Sequence, residues 1–66
     1  MSVLKVIEIL SSSKESWEDA TRSAVKEASK TVKNIKSAYV QEQSAVVKDG
    51  DVKEFRVNLK ITFEVN

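Results

Sequence analysis

Ser11, Ser12, Ser13 and Ser16 form a close run of hydroxyl side chains, and hydroxyls at such spacing raise the question of a nucleophile. A serine attacks only when a neighbouring base takes its proton. The sequence contains no His, and no Lys stands at a recognisable Ser-Lys spacing, so helix capping accounts for these serines. Glu15 and Asp19 are the nearest approach to a carboxylate pair, but they fall on one exposed helix face, where acid and base would act on solvent rather than substrate. Asp49-Gly50-Asp51 begins like a calcium loop. Ca²⁺ takes roughly six to eight oxygens, however, and the remaining ligands of an EF-hand do not follow. Lys26, Lys30 and Lys33 make a short basic ridge that reads as a solvated helix face. No catalytic set emerges, and the chain reads as a non-enzyme.

The elements that position these residues follow from periodicity. Phe55, Val57, Leu59, Ile61, Phe63 and Val65 alternate with polar residues, a period of two that specifies a strand with one apolar and one wet face. Val3 to Leu10 is apolar on both parities, as in a strand buried on both sides. Ser11-Ser12-Ser13 breaks it, with Ser13 as the expected N-cap and Ser12 with Glu15 as a rival capping box. Trp17, Ala20, Ala24, Ala28, Thr31, Val32 and Ile35 then recur at helical spacing, predicting a helix that frays near Asn34. Trp17, on the small-residue stripe, reads as a core or interface anchor. Its acidic start (Glu15, Glu18, Asp19) and basic end suit the helix dipole.

Lys36 to Val47 predicts a second strand, with Ala38, Val40 and Val46 on one face and Ser37, Tyr39, Gln41 and Gln43 on the other. Asp49-Gly50 supplies the positive φ angles of a type I′ hairpin. That loop pairs Val40 with Leu59 and Ala38 with Ile61, and sets Gln41 against Asn58 and Gln43 against Arg56. A right-handed crossover leaves a gap between the first two strands that the third fills, antiparallel to both. The expected fold is α+β, in the order β-α-β-β: a three-stranded antiparallel sheet with one helix packed on one face. Its other face, with Ser37, Tyr39, Gln41, Gln43, Arg56, Asn58 and Lys60, is left bare.

At 66 residues the chain has room for one domain, residues 1–66. A domain of this size buries only about 60% of its unfolded surface, so natural examples add disulfides, metals or self-association. With no Cys and no His, self-association is the route left, and a cysteine-free chain fits a cytoplasmic location. A net charge of +1 gives no footprint for nucleic acid or an anionic membrane. The N-terminal apolar run is too short for a membrane span and lacks the marks of a signal peptide.

Val6 to Leu10, the Ser12-to-Trp17 entry to the alanine-striped helix, Thr31-Val32-Lys33-Asn34-Ile35, Val40-Gln41-Glu42-Gln43 and Glu54 to Glu64 together resemble the dodecins. The resemblance spans nearly the whole chain. It implies a hollow homododecamer of cubic (tetrahedral) symmetry built from trimers, with sheets lining the interior and helices outside. In flavin-storing dodecins, pairs of flavins sit between subunits, stacked on a tryptophan at the start of the second strand and hydrogen-bonded by a glutamine early in the third. The matching positions here hold Ser37 and Arg56. With Tyr39, Gln43 and Asn58 on the same expected face, they form the candidate ligand-binding set. Loss of the indole implies weakened or absent binding of FMN or riboflavin, and Arg56 favours anionic groups.

Arginine in the third strand without an indole on the second, together with Met1-Ser2-Val3 and Ser16-Trp17-Glu18, resembles the calcium-binding branch of the family. The alternative function is therefore a cation-supported shell or interaction scaffold, with several copies of Glu42, Glu54 or Glu64 converging on a symmetry axis. The lysine ridge also raises coenzyme A, reported for some relatives.

Overall fold

The computed structural model describes residues 3–65 of the chain, and Met1 and Ser2, part of the likeness to the calcium-binding branch, lie outside them. The elements are β1 (Val3–Ser13), α1 (Trp17–Ala28), β2 (Ile35–Lys48) and β3 (Asp51–Val65). The sheet order is β1-β3-β2, and β3 runs antiparallel to both neighbours, as the crossover argument requires. Among the described residues no helix is long and apolar enough to cross a membrane.

The core lies where the central strand meets the helix. Val57, Leu59 and Ile61 of β3 are buried against Ala20, Ala24 and Ala28 of α1. Small helix side chains permit this close approach, while Ile7, Ile9, Trp17, Val25, Ile35 and Val40 pack around the edges. A helix of 12 residues rises only about 18 Å, whereas the 15 residues of β3 span about 50 Å. The helix therefore shields the middle of β3 and leaves its ends partly open.

Five details depart from the sequence expectation, each for a local reason. The serines continue β1 rather than break it, Ser11, Ser12 and Ser13 pairing with Val57, Arg56 and Phe55. The N-cap is Ser16, whose hydroxyl accepts from the Asp19 amide at 2.9 Å. Ser13, buried, shapes the turn before it: its Oγ accepts from the Glu15 amide at 2.9 Å and donates to Asp19 Oδ2 at 2.6 Å. The helix stops at Ala28 rather than near Asn34, because the Thr31 and Val32 amides both turn back to the Ala28 carbonyl and Asn34 adopts a left-handed φ of 64°. Thr31 and Val32 therefore belong to the connection, and Ile35 opens β2.

The fourth departure is in register. The hairpin itself is as expected, with positive φ at both Asp49 (53°) and Gly50 (81°), and Val40 and Ala38 do face Leu59 and Ile61. Between these points Lys53 is an extra residue in β3 and Gln41 a compensating one in β2. A bulge of this kind moves the intervening residues to the opposite face. Asn58 therefore pairs with Glu42 rather than Gln41, and Arg56 with Ser44 rather than Gln43. Gln43 turns to the helix side opposite Val57, and Val46 to the open side opposite Glu54.

Neither is β1 buried on both sides. It is an edge strand whose even-numbered residues point away from the helix, leaving Leu4, Val6 and Leu10 exposed.

Candidate functional site

The face of the sheet turned away from α1 is built in cross-strand rows, since directly paired residues project to the same side. From one end these rows are Val6–Thr62–Ser37, Glu8–Lys60–Tyr39, Leu10–Asn58–Glu42 and Ser12–Arg56–Ser44. The face is mixed in character. Leu10 is 78% exposed, Tyr39 66%, and Leu4 and Val6 56% each, while Arg56, Lys60, Glu8 and Glu42 supply charges beside them.

Its last two rows line an open groove of about 510 Å³ with Leu10, Ser11, Ser12, Glu42, Ser44, Arg56, Val57 and Asn58. Arg56 sits in the middle strand with a serine hydroxyl in register on either side. One row further, the Asn58 Oδ1 atom is buried without a hydrogen-bond partner. Among the described residues neither Arg56 nor Glu42 makes an ion pair. The groove thus offers hydrogen-bond donors in one row and acceptors in the next.

Trp17 braces this region from behind. Its indole N–H donates to the Ser44 carbonyl at 2.9 Å, and its ring meets Phe55 edge-on at 4.8 Å between centroids. The helix N-terminus is thereby fixed to the two strand segments that carry Ser44 and Arg56. The indole faces the helix side of the sheet, in keeping with its reading as an anchor.

The ligand-binding candidates fall into three places. Arg56 and Asn58 lie together in the groove. Ser37 and Tyr39 share the open face, but Ser37 pairs with Thr62, six positions along β3 from Arg56, a separation of about 20 Å. Within one chain Ser37 and Arg56 therefore do not meet. Gln43 stands on the opposite side, in a shallow hollow with Trp17, Glu18, Thr21, Arg22 and Val40. Sequence reasoning missed Ser12, Ser44 and Glu42 as lining of the groove around Arg56. The apolar parity of β2 shifts between Val40 and Ala45, and that shift is the signal of the bulge that brings Glu42 and Ser44 to this face.

The cation candidates are equally separated. Glu42 lines the groove, Glu54 stands across from Val46 near the hairpin, and Glu64 pairs with Lys36 at 3.8 Å near the other end of β3. Among the described residues no three acidic, His or Cys side chains gather as a metal-binding group. Two of these carboxylates can meet on one cation only if more than one copy of the chain contributes.

Residues 3–66 match the family model described as Dodecin. The chain belongs to the dodecin family. It is 38% identical over 65 residues to the protein named calcium dodecin of Mycobacterium tuberculosis, covering 98% of this chain and 92% of that one. Superposed on a crystal structure of that calcium dodecin, described as having a novel calcium-binding site, the fold gives a TM-score of 0.85 over 98% of this chain and 93% of that one. A variant of T. thermophilus dodecin matches at a TM-score of 0.94, with 29% identity over 100% of this chain and 98% of that chain. The dodecin of Streptomyces davaonensis gives 0.93 at 26% identity, over 98% of this chain and 96% of that chain. The β-α-β-β order and antiparallel sheet of this dodecin thus agree with solved members of the family.

Proposed function

We propose that this dodecin is a non-enzymatic small-ligand binding or storage protein, acting as one domain in a homododecamer built from trimers. Ligand is held between subunits against the open face of the sheet. One observation carries the reading: Leu4, Val6, Leu10 and Tyr39 are exposed on a face that the helix cannot reach, beside a groove with unpaired polar groups. Clustering with other copies hides the apolar part and encloses the polar part. The distal hairpin supports the same view, because Val47 and Val52 extend beyond the last residue paired with β1 and are exposed.

In this reading flavin affinity is reduced or lost. The reading takes Ser37 and Arg56 to stand where flavin-storing members use tryptophan and glutamine, and each missing aromatic partner forfeits about 0.5–1.5 kcal/mol beyond its buried area. Tyr39, on the same face, replaces that surface only in part. Titration of the purified oligomer with riboflavin and FMN checks this: quenching of flavin fluorescence is expected only above micromolar concentration, and sub-micromolar quenching counts against it. A cytoplasmic location belongs to the same proposal and is supported by the cysteine-free sequence.

A second reading is favoured by the 38% identity to a protein named calcium dodecin. Copies of Glu42, Glu54 or Glu64 from several subunits would hold Ca²⁺ or another cation on a symmetry axis and brace the shell. Carboxylate oxygens suit such hard cations. Size-exclusion chromatography with and without a chelator separates the two readings, since a particle that keeps its size without free cation rules out the braced shell.

A further inference from the structure

Across the groove, Ser12, Arg56 and Ser44 stand in one row on three adjacent strands. Paired residues on one sheet face lie about 4.5–5.5 Å apart at Cβ, so two hydroxyls flank a guanidinium within reach of a single group. The guanidinium is permanently charged and presents five N–H donors in a planar fork that matches carboxylate and phosphate oxygens. Among the described residues it makes no ion pair that would occupy the fork.

The next row, about 7 Å along the strands, has the opposite character. Asn58 Oδ1 is buried with no donor facing it, and Glu42 adds a carboxylate. Asn58 Oδ1 has no surface open to the groove, so Glu42 is the acceptor of this row that a ligand can reach. Leu10 completes that row with an exposed apolar side chain.

Resting on the ligand-binding reading above, we infer that the groove takes an anionic ligand. Its carboxylate or phosphate group docks on the Ser12–Arg56–Ser44 row, while an N–H or O–H group of the same molecule donates to the exposed Glu42 carboxylate in the next row. A cation on Glu42 and Asn58 is disfavoured by the fixed positive charge one row away. Charge, rather than aromatic stacking, then selects the ligand, and Arg56 is the residue that sets the selection.

FMN and riboflavin serve as the probes, since they differ by one phosphate monoester. Both are titrated into the assembled protein at low salt, following flavin quenching and the emission of Trp17, whose indole is bonded to the groove strand. The expected result is that FMN binds at least tenfold tighter than riboflavin, with Arg56→Gln reducing the ratio below two and Arg56→Lys retaining part of it. Competition by inorganic phosphate against acetate distinguishes the phosphate source of affinity from the carboxylate one. Equal affinity for the two flavins, a ratio unchanged in Arg56→Gln, or no saturable FMN binding up to millimolar concentration overturns the proposal. So does a response of Trp17 to Ca²⁺ alone. Light scattering on the same samples separates this failure from failure of the shell: an intact large particle with no preference for FMN sinks only the anion site, whereas a monomer sinks both.

Discussion

Replacing Leu4 and Val6 together by threonine probes the open face directly. Both lie on β1, two residues apart on the side away from the helix, and each is 56% exposed. If the chain acted alone, the exposed half of each side chain would meet only solvent, and substitutions at such surface positions usually move stability by no more than about 0.5 kcal/mol. Threonine keeps the strand preference of the position, so the backbone should not respond. In an assembly that covers this face, the unburied half of each side chain is what association removes from water. Full burial of Leu or Val is worth about 1.5–3 kcal/mol, so the two remaining halves contribute about 2–3 kcal/mol per subunit. At tenfold per 1.4 kcal/mol, and because threonine keeps one methyl of that surface, roughly 30- to 150-fold is the most that lost burial alone weakens association for each subunit, the cost of burying the new hydroxyls adding to it. Light scattering across a dilution series, with thermal unfolding at matched concentration, reads it out. The expected result is dissociation at concentrations where the parent protein stays intact. An unchanged particle mass together with a melting midpoint within about 2 °C of the parent would refute the burial of this face.

Further perturbations test other parts of the structure. Gly50→Ala places a side chain at φ +81°, where no steric neighbour lies within 4 Å, so the cost is purely conformational at about 1–2 kcal/mol and should appear in chemical denaturation. Trp17→Phe keeps an aromatic ring beside Phe55 but removes the donor to the Ser44 carbonyl; a loss of about 0.5–1.5 kcal/mol is expected, with amide exchange accelerated near Ser44. Ala24→Leu forces bulk between the helix and Leu59, and should lower stability by about 1–3 kcal/mol in the same denaturation assay.

The strength of each sequence signal explains how much of this was legible. The six-fold alternation of Phe55 to Val65 and the alanine stripe of α1 define the sheet, the helix and their contact, because burial enforces both periods. Asp49-Gly50 fixed the hairpin because few dipeptides tolerate two positive φ angles. The serines of β1 were opaque, since a hydroxyl serves equally as strand residue, turn former or cap; only the hydrogen bonds of Ser13 and Ser16 distinguish those roles. The bulge at Gln41 lies in a polar stretch where neither face is strongly favoured by burial, so register there is set by backbone geometry rather than by hydrophobic pattern. Gln41 and Lys53, the two extra residues that bound this stretch, together decide that Ser44 rather than Gln43 stands beside Arg56. Separation of Ser37 from Arg56 was likewise invisible to parity, which assigns a face but not a distance.

One chain cannot cover its own sheet, and assembly into a shell follows from that. Multi-angle light scattering of the purified protein at micromolar concentration measures this most directly. Twelve copies of a 7.4 kDa chain predict a single particle of about 90 kDa. A folded species at 7.4 kDa, stable on dilution, would contradict it.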